Sequence, residues 1–475
     1  MKKVCFVQHA SEWPLFEKIA KAFKEQGIES VFVCKTRSVF EKYCDLGFNS
    51  VFISDIFNQI DQITLEELAE LDKKYGPPSI SEIGDSDVQL ADSFGHNLEQ
   101  KHRVIGLAYK FWEKFFEKNK IDYVIVRETA TFSTRTVYNF CKKNNIPLAQ
   151  FAIGPGDRFV TLDNVGESHV WSELLDVLKK GFKELNTDQK KVVQDFIDER
   201  LSSIKEKMTL RFVPPPLMTT LKNFFGMFFH DNKSNWLLDP IKVAALRHGR
   251  KRLYKKIVWK YITKNFFRYS EPDSNDKYVY FPMYSGEETS YLVNTHYWAR
   301  NEKSLIKETA NNLPQGYVLY VKEHPTNPGD LTFSELRELS KIKNIKILRP
   351  TVDATELILN SEAVCVLLGT TGWEAFLAKI PVIVIGNTFF SYSRLVYSVQ
   401  SMSYFSELFW EVLEQGKDVY KKNEAEWEWF IHAVITSCGK GESVKLVPPY
   451  GFPTDEDNAR KIAEFIHSTM LKRGV

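Results

Sequence analysis

The chain has 475 residues, 43% of them apolar and 26% charged, with a formal net charge of +2. That length accommodates two or three domains with substantial cores, and the composition is ordinary for a soluble protein. The six cysteines include no CxxC pair, and Cys5 with His9 has no second such pair to complete a site, so neither a disulfide framework nor a zinc site is expected. The apolar run at residues 4–7 is too short for a signal peptide, and no run reaches membrane-spanning length. These features lead us to expect a cytoplasmic protein.

Residues 3–56 read as two βα units and a third strand. Residues 4–7 form a strand, and residues 13–26 a helix with Leu15, Phe16, Ile19, Ala20 and Phe23 on one face, stopped by Gly27. Residues 30–34 give the second strand, 38–44 a helix and 51–53 the third strand. The pattern is Rossmann-like without GxGxxG. His9 follows the first strand, and a side chain that titrates near neutrality suits a general base; a loop histidine with no catalytic part is the alternative. Residues 57–100 are acidic and expected to be mostly irregular, a long excursion of the kind that is functional or disordered. A helix over 101–118, a strand over 123–126, a helix over 133–144 and a strand over 146–153 follow. Glu128 and Asp157 lie at or just past strand ends. Each competes with His9 as base, or serves as a carboxylate nucleophile if configuration is retained. Ion pairs with Arg127 and Arg158 explain them equally well.

Residues 173–210 are strongly helical until Pro214, Pro215 and Pro216. From 241 to 270 there is no acidic residue, whereas ten Lys and Arg lie between Lys242 and Arg268, interleaved with Leu, Ile, Trp, Tyr and Phe. Such a basic, aromatic helix docks on an anionic membrane surface at about 1 kcal/mol per basic residue. A groove for acidic glycan and a solvated face remain alternatives. Nucleic acid is disfavoured because no nucleic-acid motif accompanies the run.

After a polar linker at 271–276, residues 278–390 alternate short apolar runs with helices, which indicates a parallel sheet covered on both faces. Its polar residues fall at the carboxyl ends of the strands, where such sheets bind ligands. Gly369, Thr370, Thr371 and Gly372 lie between a strand and a helix, so their amides form a helix N-terminus suited to phosphate, with two hydroxyls added. Glu374, within the first turn, is placed to take ribose hydroxyls. Lys322 and His324 end the neighbouring strand and are placed to reach the same phosphates. The plainer alternative makes the glycines turn residues and Thr370 an N-cap. Phe389, Phe390, Ser391 and Tyr392 are expected to line the sugar end. Helices over 407–413, 422–437 and 457–473 complete the chain.

Three blocks occur in order: Phe281, Pro282, Glu287 and Thr289; then Leu313, Pro314, Gly316, His324 and Pro325; then Gly369, Thr370, Gly372, Glu374 and Ala375. Over about residues 276–392 this order resembles the capsule polysaccharide biosynthesis glycosyltransferases, which include transferases of 3-deoxy-manno-octulosonic acid (Kdo). The sequence departs from the family where PLHxxPE is common. It reads PMYSGE, with Tyr284 in place of the histidine and Gly286 in place of the second proline.

The resemblance implies an α/β fold of GT-B type: two Rossmann-like domains facing a cleft, with a helical basic insertion. The boundaries expected are 1–165 for the acceptor domain, 166–270 for the basic connecting segment, 271–450 for the nucleotide-sugar domain and 451–475 for a final crossing helix. By similarity, His324, Thr370 and Thr371 hold nucleotide phosphate, and Glu287 joins the donor-binding residues. His9, Glu128 and Asp157 stay the candidates for catalysis. No DxD motif stands out in the donor half, so no metal and no cofactor beyond the donor are expected. A CMP-Kdo-like or a UDP- or GDP-sugar donor, a glycan or glycolipid acceptor, and a peripheral inner-membrane location through residues 242–268 complete the reading. Alternatives on this scaffold are a CDP-glycerol-type polymerase, whose expected TDYSS-like block is replaced by LGTTG, and a nucleotide-sugar epimerase. A non-catalytic assembly or export protein is the alternative of another class.

Overall fold

A computed structural model describes residues 2–7, 14–87, 90, 94, 97–127, 129, 131–155, 160–163, 171–211, 266–284, 295, 299, 301–324, 331–399, 401–442 and 455–475. The described residues form two compact units. One holds those up to Lys180 and those from Val434 onward; the other holds those from Gly181 to Ala433.

In the first unit six strands, β1 (Lys2–Val7), β2 (Ile28–Cys34), β3 (Asn49–Phe52), β4 (Tyr123–Val126), β5 (Leu148–Ile153) and β6 (Val160–Asp163), lie in the order β3-β2-β1-β4-β5-β6. The first five are parallel and β6 runs antiparallel to β5. Alternate side chains serve opposite faces. Cys5, Val7, Val31, Val33, Val124 and Val126 belong to one core, and Val4, Phe6, Phe32, Tyr123 and Ile125 to another. Both faces are covered, which explains why these strands read as unbroken apolar runs rather than alternating ones.

Helices α1 (Pro14–Glu25), α2 (Arg37–Asp45), α3 (Leu65–Tyr75), α4 (Ile80–Ser86), α5 (Leu98–Lys118), α6 (Phe132–Lys143) and α7 (Ser172–Leu178) belong to this unit. The expectation of a mostly irregular 57–100 is corrected here: a 3₁₀ segment Ile53–Gln62, α3 and α4 occupy much of it. Thr64 and Glu67 close a reciprocal capping box at the start of α3, and Leu68, Leu71 and Tyr75 form its buried stripe. These apolar residues are few among many acids, so composition hides a period that packing on α5 makes decisive.

In the second unit β7 (Lys277–Pro282), β8 (Tyr317–Lys322), β9 (Ile345–Leu348), β10 (Ala363–Val366), β11 (Val382–Val384) and β12 (Tyr397–Ser398) form a sheet in the order β12-β11-β10-β7-β8-β9. All neighbours are parallel. Its helices are α8 (Thr187–Arg211), α9 (Glu302–Asn312), α10 (Phe333–Leu339), α11 (Ala354–Leu359), α12 (Thr370–Leu377), α13 (Phe405–Gln415), α14 (Asp418–Lys422) and, up to Ala433, α15 (Glu424–Ser437). Val279, Phe281, Leu319, Val321, Ala363, Cys365 and Ile383 pack with apolar residues of α9, α10 and α13. The opposite face carries Tyr278 and Tyr320, whose rings stack with centroids 4.0 Å apart. Tyr278 donates its hydroxyl to the Leu357 carbonyl of α11 at 2.8 Å.

The last helix, α16 (Glu456–Lys472), returns to the first unit. Its Ala459, Ile462, Ala463, Ile466 and Met470 complete the core that α1 shares with Val4 and Phe6. His467 Nδ1 meets Gln26 Oε1 at 3.0 Å, and Arg473 bonds both the Tyr123 hydroxyl and Glu173.

Candidate functional site

Both sheets follow the doubly wound order, in which the direction of crossover reverses between the first and fourth strands; ligands bind beyond the carboxyl ends there. In the second unit this switch point lies between β7 and β10. Beyond β10 the chain reaches Gly369, with φ +94° and ψ 171°, a conformation open essentially to glycine alone. A Cβ at Gly369 would stand 3.4 Å from the ring of Tyr284, which follows β7. Tyr284, at the position where the family commonly has histidine, therefore packs on the turn itself, and its N–H donates to Glu302 at 2.7 Å. Gly369 is the N-cap of α12 and has no side chain with which to cap it. The first turn of α12 thus presents amides at the switch point, with Thr370 exposed and Thr371 and Glu374 half-buried.

Gly372 is used differently. A Cβ there would fall 2.8 Å from both Phe390 Cζ and Val366 Cγ2, so the glycine admits close packing of the loop after β11 on α12. Phe390 is accordingly buried, against Gly372 and the ring of Trp373, rather than lining a cavity.

Lys322, at the end of β8, is only 3% exposed. Its Nζ donates to the Pro350 carbonyl at 3.4 Å. Burial draws its pKa down to about 8, while the charge of Asp353 works the other way. Glu323 is also buried and accepts the N–H of Leu331 at 3.1 Å; the sequence reading had not singled it out. His324 is half-buried. Burial, then the charge of Glu374, with Tyr278 and Asp353 adding less, holds the Tyr280 phenol protonated far above its usual range.

His9, Glu128, Asp157 and Glu287 lie outside the described residues, as does the basic segment up to residue 265. At the carboxyl ends of the first sheet the structure instead brings forward residues not singled out from sequence. Lys35, directly after β2, is fully buried and donates to Thr131 Oγ1 at 2.5 Å. Thr131 is the N-cap of α6. The buried carboxylate of Asp87 accepts the backbone N–H of Phe132 at 2.5 Å and of Leu90 at 3.1 Å. A lysine ending an apolar strand and a threonine opening a helix were legible signals for two of these; Asp87, one acid among many, gave none. Among the described residues no group of three or more His, Cys, Asp or Glu is arranged to hold a metal.

Two doubly wound α/β units in one chain, the second with a glycine-opened helix N-terminus at its switch point, are the architecture of the GT-B type. Residues 244–408, about a third of the chain, match the family described as capsule polysaccharide biosynthesis protein. The match encloses the motif blocks at 276–392 and is a likeness over that segment. Among solved structures, a glycosyltransferase from Rickettsia africae is 11% identical over 99% of each chain, with a TM-score of 0.33. The Thermosulfurimonas dismutans KpsC, a beta Kdo 2,7 transferase, is 14% identical over 63% of this chain and 79% of that one, with a TM-score of 0.34. A UDP-GlcNAc 2-epimerase from Methanocaldococcus jannaschii is 12% identical over 99% and 100%, with a TM-score of 0.31. At such TM-scores these likenesses carry no argument about activity. No curated protein matches the chain.

Proposed function

We propose that this chain transfers a sugar from a nucleotide-activated donor, CMP-Kdo-like or a UDP- or GDP-sugar, to a glycan or glycolipid acceptor in surface-polysaccharide biosynthesis. The observation that carries the reading is the turn at the second switch point: Gly369 in a glycine-only conformation, opening α12 without a capping side chain. Donor phosphate sits on the amides of residues 370–372 and the hydroxyls of Thr370 and Thr371, with His324 and Lys322 contributing from the end of β8. As the sugar leaves, charge accumulates on that phosphate, and fixed donors stabilise it without reorganising. An arriving phosphate also favours the charged form of Lys322 and offsets the penalty of its burial. Glu374 takes ribose hydroxyls, and Glu287 joins the donor contacts. The first unit presents the acceptor, with His9, Glu128 or Asp157 receiving its proton. Residues 242–268 hold the protein to an anionic membrane surface; among the described residues no helix is long and apolar enough to cross a membrane. Transfer proceeds without a metal, so chelation leaves turnover unchanged.

The test is thermal stabilisation of the full chain by CMP, CDP, UDP, GDP and dTDP. A ligand at about one hundred times its Kd adds about 2.7 kcal/mol to the stability of the state that binds it. The expected result is a shift with CMP, or with UDP or GDP, that His324→Ala abolishes. Stabilisation by CDP alone points to the polyol-phosphate polymerase. No shift with any nucleotide at millimolar concentration refutes the donor site.

A further inference from the structure

We infer that Thr388 is a further donor-contacting residue, its hydroxyl hydrogen-bonding a phosphate oxygen of the nucleotide at the Gly369–Gly372 turn. The inference rests on the donor site proposed above and adds a residue that no motif block contains.

Position comes first. The strands β10 and β11 pair through Val366 and Val384, and the two chains stay side by side beyond them. Ile385 N–H donates to the Val366 carbonyl at 2.9 Å and Gly386 N–H to the Leu367 carbonyl at 2.8 Å. One chain then reaches Gly369 and Thr370, and the other, two residues after its last such bond, reaches Thr388. Phe390 lies against Gly372 of α12, which holds this loop to the first turn of the helix.

The state of the hydroxyl comes second. Thr388 is 7% exposed, and its Oγ1 has no hydrogen-bond partner among the described residues. It stands at the N-cap of the 3₁₀ turn Phe389–Tyr392, where a threonine ordinarily caps with its side chain, yet this one does not. The turn is closed instead through the Thr388 carbonyl, which accepts the Ser391 hydroxyl at 2.6 Å and the Ser391 N–H at 3.3 Å. The fold therefore uses the backbone of Thr388 and leaves its hydroxyl idle. A buried hydroxyl without a partner is unfavourable, and valine would fill the same volume without that penalty. Ser30 and Thr36 of the first unit and Thr355 and Ser398 of the second also carry unpartnered hydroxyls; Thr388 is distinguished by its loop, whose Phe390 meets Gly372 in the first turn of α12. A neutral hydroxyl there donates to a phosphate oxygen without adding charge to a site that already holds Lys322.

The experiment compares wild type, Thr388→Val and Thr388→Ser in the full chain, measuring the melting temperature without ligand and the Kd for CMP, CDP, UDP and GDP by calorimetry. The expected result is a valine variant at least as stable as wild type that binds the preferred nucleotide about tenfold more weakly, as loss of one hydrogen bond to a charged group predicts. Thr388→Ser keeps the hydroxyl and is expected to bind within about twofold of wild type. Undiminished binding by Thr388→Val overturns the inference and leaves the donor site standing. A valine variant that loses ligand-free stability and affinity together assigns the hydroxyl to the fold and also overturns it. If wild type binds none of the four nucleotides, the donor site and this inference fall together.

Discussion

Replacing Lys322 with methionine exchanges an ammonium for a polarizable apolar group of similar length. The lysine is 3% exposed, and its pKa is lowered from 10.5 to about 8. Between those values the unfolded chain binds more protons than the native one, so stability rises with pH. The penalty for burying the charge is complete below about pH 8 and is relieved as pH climbs through the unfolded value of 10.5. At roughly 1.36 kcal/mol per pH unit it amounts to about 3 kcal/mol at neutral pH. Methionine forgoes the hydrogen bond to the Pro350 carbonyl, about 1 kcal/mol. Lys322→Met is therefore expected to stabilise the protein by about 2 kcal/mol near pH 7, an advantage that falls close to zero near about pH 9.5. Urea denaturation at both pH values measures this. A variant less stable than wild type at neutral pH, or a difference that ignores pH, refutes the reasoning. The same variant should lose nucleotide-induced stabilisation. If it keeps that response in full, Lys322 serves only the loop at Pro350.

Gly369→Ala forces alanine into a glycine-only conformation beside Tyr284 and should cost about 1–3 kcal/mol in denaturant unfolding. A loss below about 0.5 kcal/mol would mean that the turn relaxes freely. Thr64→Ala removes half of the capping box on α3 and should cost about 1 kcal/mol, with faster hydrogen exchange confined to residues 65–75. Asp87→Ala leaves the Phe132 and Leu90 amides without their acceptor and should cost about 2–3 kcal/mol. An unchanged urea midpoint would show that water replaces the carboxylate.

Both Rossmann-like sheets were legible because strands buried on two faces write themselves as short apolar runs ending in Gly, Pro or polar residues. The first strand, the second strand and the helix between them fell within a few residues of the expectation. So did the turn at Gly369, where a backbone demand selects one residue type. What stayed hidden depends on distant partners. Leu68 and Leu71 look like residues of a polar loop until the core they join is in place. Gly369 and Gly372 look alike in sequence, yet one answers to φ and the other to the ring of Phe390. Lys322 reads as a phosphate ligand from its place after a strand, and only its burial shows that it also holds the carbonyl of Pro350.

The return of α16 to the first unit bears on how this chain comes into being. Gln26 and His467, in hydrogen-bond contact, are 441 positions apart. On the ribosome the first sheet emerges early, yet the face bearing Val4 and Phe6 stays without part of its apolar cover until residues 459–470 have been made. Slow closure of such distant contacts leaves the growing chain exposed to aggregation. An expression fragment cut after the first sheet would carry that open face permanently. Supplying residues 456–472 as a separate peptide should return such a fragment to solution.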